Sequence, residues 1–171
     1  KEVIKPAREV AKNSAEVQLA KMSESKARIS NNLDSLIGGK SVDGSKITPK
    51  QKRELQSQLL KDIESHTEFA KKATTLAADP FLPKAERISL HKAAEEISKE
   101  VERVSELPKG RNKKGPDGEL VKDADGEFKD KVKDKAEGLQ NAVKVLIETI
   151  KDFFKNLTAK AKSNDSPSPS P

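Results

Sequence analysis

The sequence predicts an all-α protein: an elongated up-down-up-down four-helix bundle with a long basic loop between helices 3 and 4 and a disordered C-terminal tail. Apolar residues recur at helical spacing through four segments. Gly and Pro stand between these segments, and no run alternates as a strand does. With 171 residues, 36% charged and 33% hydrophobic, the chain can build one elongated core. We expect a bundle domain over residues 1–162 and a Ser/Pro tail over 163–171; two long hairpins that dock less completely are the alternative.

The first and fourth helices are predicted from heptad spacing. The first runs from about Pro6 to Ile37 and ends at Gly38-Gly39. The fourth follows a long, mobile, glycine-rich loop over Pro108 to Gly126 and has the most regular apolar stripe. The core positions are Ala15, Leu19, Met22, Ile29, Leu33 and Leu36 in the first helix, and Val132, Ala136, Leu139, Val143, Leu146, Ile150, Phe153 and Leu157 in the fourth.

The second helix has the clearest start signal. Thr48, Pro49 and Gln51 supply a cap oxygen, a preset helical dihedral and the glutamine of a capping box. The helix is expected to stop before Asp79-Pro80, because proline cannot continue the hydrogen-bond ladder. Its apolar face comprises Leu55, Leu59, Ile63, His66, Ala70, Ala73 and Leu76.

The third helix is predicted to begin near Pro83, or at Lys84 just after it, and to close at Leu107-Pro108. The connection over 79–83 is short, which predicts that the second and third helices pack as an antiparallel hairpin. Phe81 and Leu82 in this turn are expected to fold back over the end of the bundle, or else to serve as an anchor for a partner. The core positions of the third helix are Leu90, Ala94, Ile97, Val101 and Val104.

The net charge of +6 is concentrated in two windows. Residues 38–54 carry five cations against two acids, and residues 108–122 do the same, so each window has a net charge of +3. In an up-down bundle the first and third connections lie at the same end. One end of the bundle should therefore be basic.

A basic, glycine-rich end can attract phosphate-rich partners. The first functional hypothesis is a non-enzymatic targeting or docking module of a larger protein, which binds an anionic membrane lipid with a phosphoinositide-like head group. An acidic protein segment is the other anionic partner. Nucleic acid is disfavoured, because the helices alternate Lys with Glu and no basic residues interleave with aromatic ones. The expected binding residues are Lys40, Lys46, Lys50, Lys52, Arg53, Lys109, Arg111, Lys113 and Lys114.

The second hypothesis is a protein interaction or scaffolding bundle, which presents a helix face to a partner or to a second copy. Apolar residues outside the main stripes would form that surface. The candidates are Leu60, Phe69, Ile88, Val145 and Phe154.

The composition leaves little material for other chemistry. There is no Cys, which excludes thiol catalysis and Cys-ligated metals and suits a reducing, cytoplasmic location with peripheral membrane contact. The only two histidines, His66 and His91, are not expected to converge. His66 is expected to be a half-buried spacer, and His91 is expected to pair with Glu95. Asp123 and Asp125 fail the register of a calcium loop. We therefore expect no enzymatic activity, metal or cofactor, and we read the start at Lys1 as that of a fragment or processed product.

Overall fold

The fold consists of four α-helices and one small hairpin. The computed structural model describes residues 4–165, with the side chains of 5–158. The elements are α1 (Ile4–Gly38), α2 (Pro49–Ala77), α3 (Lys84–Glu102), a 3₁₀ turn (Arg103–Glu106), β1 (Asn112–Lys114), β2 (Leu120–Lys122) and α4 (Ala124–Asp165). The predicted all-α four-helix class is confirmed, and so is the capping box of α2, where Thr48 and Gln51 exchange side-chain to backbone hydrogen bonds.

The order of the helices around the bundle differs from the prediction. The helix α2 packs on α1 and α4, and α3 packs on the same two helices, so α2 and α3 lie diagonally opposite each other. They run antiparallel, but the predicted hairpin between them is wrong. The connection over 78–83 therefore crosses the end of the bundle, because a short link constrains the direction of two helices and not which neighbours they acquire.

Polar contacts fix the directions. Lys26 bonds Glu96 and, further along, Asp34 bonds Arg103, so α1 and α3 run parallel. The helices α2 and α4 are also parallel, since Lys52 contacts Asp125 and Glu64 contacts Lys135. The chain thus alternates in direction as predicted, and its first and third connections lie at one end.

The predicted apolar faces form the core, with two corrections on α4. Its stripe is buried from Val132 to Ile150, but Phe153 is only half-buried, against Arg87. Leu157, also expected to face the core, is 53% exposed. The parallel register places the end of α2, at Ala77, near residue 150 of α4. Beyond that level α4 continues through Asp165 without α2 beside it, which leaves Leu157 in solvent.

Two predicted irregular segments are partly regular. The expected mobile loop between helices 3 and 4 contains the antiparallel strands β1 and β2, and α4 begins at Ala124 inside the segment assigned to that loop. Residues 163–165 of the expected tail belong to α4. The rest of the predicted disordered tail, 166–171, lies outside the described residues.

The opposite end is closed by Arg87, whose side chain is only 1% exposed. The guanidinium donates Nε to the carbonyl of Ala77 (3.1 Å), Nη1 to that of Leu82 (2.9 Å) and Nη2 to that of Asp79 (2.6 Å). Its Cζ lies 3.4 Å from the centre of the Phe153 ring on α4. Arg87 therefore joins α2, α3 and α4 where the chain crosses the bundle. Leu82 packs beneath this connection as predicted, while Phe81 stays 39% exposed.

Candidate functional site

The four helix termini at one end hold both basic segments together. Lys52 and Gln56 near the start of α2 each bond the Asp125 carboxylate at the start of α4. Across the bundle, Arg103 bonds Asp34 near the end of α1. The turn over 39–48 and the segment over 109–122 thus project from one platform, which we call the basic end.

The turn over 39–48 is a short antiparallel ribbon. Lys40 and Lys46 face each other across a β-bridge. Asp43 closes the ribbon by accepting hydrogen bonds from the Ser41 hydroxyl (2.5 Å) and from the backbone and hydroxyl of Ser45 (3.0 and 2.6 Å). These bonds, that of the Ser41 hydroxyl above all, lower the pKa of Asp43 to about 2. The carboxylate is thus engaged within its own turn.

The second segment is a hairpin whose turn matches its sequence. Pro116-Asp117 occupy the central positions, and Gly118 follows with φ 79° and donates its N–H to the Gly115 carbonyl at 3.0 Å. The register places Lys113 opposite Val121 and Lys114 opposite Leu120. Directly opposed residues share a face of the ribbon, so each lysine has an apolar neighbour.

The hairpin is fixed to α4 through Asp123. Its carboxylate accepts the N–H of Gly126 (2.9 Å), which caps the helix, and the N–H of Arg111 (2.8 Å). The Gly126 bond contributes most to the lowered pKa of Asp123, and the charges of Lys113 and Lys52 add to it. Asp123 is therefore the N-cap of α4 and also joins the hairpin to it.

Gly110→Ala should break this junction. Gly110 has φ 75°, and an added Cβ would lie 2.1 Å from Asp123 Oδ1 and 2.6 Å from the Gly126 nitrogen. We expect a loss of about 2 kcal/mol in the free energy of unfolding, from strain plus the lost cap. Gly118→Ala is the matched control, because φ is 79° there but nothing lies within 4 Å. Urea titrations should rank Gly110→Ala as the more damaging change; equal losses would mean that only backbone strain matters.

Eight of the nine predicted binding residues are exposed at the basic end: Lys40, Lys46, Lys50, Arg53, Lys109, Arg111, Lys113 and Lys114. Within residues 5–158, no carboxylate forms an ion pair with any of their side chains. Lys52 is different, because its Nζ bonds Asp125 and it is only partly accessible. We place Lys52 among the residues that hold the end together.

Three apolar residues at the basic end are absent from the predicted set. Val42 is 96% exposed at the tip of the 39–48 turn, and Leu120 and Val121 on β2 are 70% and 39% exposed. The only signal in the sequence was local: Pro116-Asp117-Gly118 marks a turn between two short runs that can pair.

The residues proposed for a protein interface are divided between core and surface. Leu60, Phe69 and Phe154 pack partly against the core, while Ile88 and Val145 are about half exposed. Of this set, only Ile88 and Val145 therefore have at least half of their surface exposed.

The two histidines do not share a site. His91 contacts Glu95 at 3.2 Å, as predicted. His66, expected to be half-buried, is fully buried. Among residues 4–165, no group of three or more His, Cys, Asp or Glu is arranged to hold a metal ion.

None of the helices within the described range is long and apolar enough to cross a membrane. Comparison of the chain with protein-family models, with curated proteins and with solved structures finds no match in any of the three.

Proposed function

We propose that the basic end docks this protein on an anionic membrane surface, as the non-enzymatic targeting module of a larger protein. The observation that carries the proposal is the hairpin, where exposed Leu120 and Val121 lie directly opposite Lys114 and Lys113. Apolar side chains that enter the headgroup boundary beside cations that meet lipid phosphates are the combination a peripheral membrane site uses.

The expected binding free energies favour a joint contribution of charged and apolar contacts. A basic residue at an anionic surface contributes about 1 kcal/mol, so about four simultaneous contacts correspond to a dissociation constant near 1 mM. Burying a leucine or valine side chain adds about 2 kcal/mol. Insertion of Leu120 and Val42 would then bring binding to roughly the micromolar range. Micromolar binding therefore requires the hairpin and the 39–48 turn to contact the membrane together.

The test is co-sedimentation with vesicles of neutral phosphatidylcholine alone or mixed with anionic phosphatidylserine, at low and near-physiological salt. Lys113→Glu combined with Lys114→Glu should weaken binding to the anionic vesicles about tenfold or more, because attraction becomes repulsion. The matched control is Lys151→Glu with Lys155→Glu, two exposed lysines on α4 at the opposite end of the bundle.

Equal effects of the two double variants would contradict a site at the basic end. Wild-type protein that ignores anionic vesicles at both salt concentrations would overturn membrane docking altogether. In that event the protein interaction hypothesis takes its place, and light scattering against concentration would show whether the partner is a second copy.

A further inference from the structure

The bridge in the 39–48 turn places two lysines unusually close together. Hydrogen bonds from Ser41 N to Ser45 O (2.8 Å) and from Ile47 N to Gly39 O (3.1 Å) flank the Lys40 and Lys46 pair. The pair therefore occupies the non-hydrogen-bonded position of an antiparallel ribbon, where opposed side chains share a face and their Cβ atoms are about 5 Å apart. Both side chains are exposed.

Like charges in this position destabilise a ribbon unless something neutralises them. The acid in the same turn does not, because Asp43 accepts its hydrogen bonds from Ser41 and Ser45. No other carboxylate of residues 5–158 forms an ion pair with either ammonium group. The turn holds the pair in place, since Gly44 takes φ 87° and its N–H bonds the Ser41 carbonyl at 2.9 Å.

We propose that Lys40 and Lys46 together bind one phosphate monoester. Two ammonium groups on one face offer two positive charges and only donors, which match the near −2 charge and three acceptor oxygens of a monoester at neutral pH. A phosphodiester carries a single charge and is the poorer match. This inference rests on the proposed function and deepens it. The hairpin binds the anionic surface and inserts apolar side chains, while the 39–48 turn selects a head group with a terminal phosphate.

A phosphate monoester is present both in a membrane lipid with a phosphorylated inositol ring and in a soluble molecule such as an inositol phosphate. Vesicles with phosphatidylinositol phosphate are compared with phosphatidylserine vesicles of equal surface charge, and soluble inositol phosphate forms a third arm. Lys40→Gln with Lys46→Gln should lower affinity for the phosphatidylinositol phosphate vesicles about tenfold more than affinity for the phosphatidylserine vesicles, which loses only the general surface attraction of two charges. The matched control, Lys113→Gln with Lys114→Gln, removes equal charge and should weaken both by the same factor.

The outcomes separate the two proposals. An equal effect of the Lys40 and Lys46 changes on both vesicle types, or no effect, would overturn the monoester site and leave membrane docking intact. If wild-type protein binds no vesicle, membrane docking fails, and the soluble arm decides the inference: inositol phosphate should shift the backbone amide signals of 39–48 in wild-type protein and not in the double variant. Absence of that shift would overturn the monoester site as well.

Discussion

Replacing Arg87 by Met should lower the free energy of unfolding by about 4 kcal/mol, because it leaves the carbonyls of Ala77 and Leu82 without a donor and removes one of two donors from that of Asp79. The guanidinium holds the carbonyls of Ala77, Asp79 and Leu82 where α2 ends and the chain crosses the bundle. Burial lowers the pKa of Arg87, and the charge of Asp79 partly offsets that shift. Chemical denaturation followed by circular dichroism would measure the loss.

Two comparisons make this result specific. Arg87→Lys keeps a positive charge but loses the planar fork and the stacking on Phe153, so we expect it to recover only a small part of the loss. Arg103→Met removes an arginine that bonds Asp34 and Glu100 near the surface, and it should cost about 1 kcal/mol or less. Similar losses at positions 87 and 103 would show that the carbonyl contacts contribute little.

The burial of Arg87 could be predicted from the sequence, but its hydrogen-bond partners could not. The four-three spacing of Leu90, Ala94, Ile97 and Val101 extends backwards to position 87, so the pattern predicts a buried residue there. An arginine in such a position signals a set of buried acceptors. Which acceptors it meets depends on the diagonal placement of α2 and α3, and no local pattern encodes that placement.

Helix boundaries could be predicted because their causes are local. The Thr48 capping box and the glycines after Ile37 act within a few residues, and so does the heptad stripe of α4. The neighbours of α2 are decided by which apolar faces meet in three dimensions. A single sequence gives the faces and leaves their pairing open.

The same distinction between local and long-range causes applies to the candidate site. The net charge and its two windows are properties of composition, and a common end followed from the alternating directions of the helices. Lys52 is not free to bind a ligand because it bonds Asp125, which lies 73 residues away in the sequence. A local pattern could not predict that contact. Leu120 and Val121 form too short a run to predict a strand, and the segment was predicted as a mobile loop although Pro116-Asp117-Gly118 is typical of a turn.

The stability of the fold should fall as the pH drops from about 7 toward 4, because His66 binds a proton less readily in the folded protein than in the unfolded chain. The side chain is 0% exposed, and neither ring nitrogen has a hydrogen-bond partner among the described residues. Asp62, one turn earlier, is engaged with Arg28, Asn32 and Gln58. Burial therefore lowers the pKa of His66 to about 4.

The sign follows from comparing the two states. The unfolded chain binds a proton at His66 below about pH 6.5, whereas the folded protein does so only near pH 4. The neutral folded form thus keeps its full stability above pH 6.5 and loses it progressively as the pH falls toward 4. The loss attributable to His66 is about 2 kcal/mol at pH 5 and about 3 kcal/mol below pH 4. Carboxylates with a lowered pKa, such as Asp123, lose their contribution only below their ordinary range near 4.

His66→Leu should remove this dependence, since leucine has nearly the same volume and no proton to bind. The difference between the unfolding free energies at pH 7 and pH 5 should be about 2 kcal/mol smaller in the variant than in the wild type. At pH 7 the variant should be as stable as the wild type or about 1 kcal/mol more stable, because two unpaired buried nitrogens are gone. His91→Leu, at the surface pair with Glu95, is the matched control and should retain the wild-type pH dependence. A His66→Leu protein that loses stability with acid as steeply as the wild type would assign the dependence to other groups.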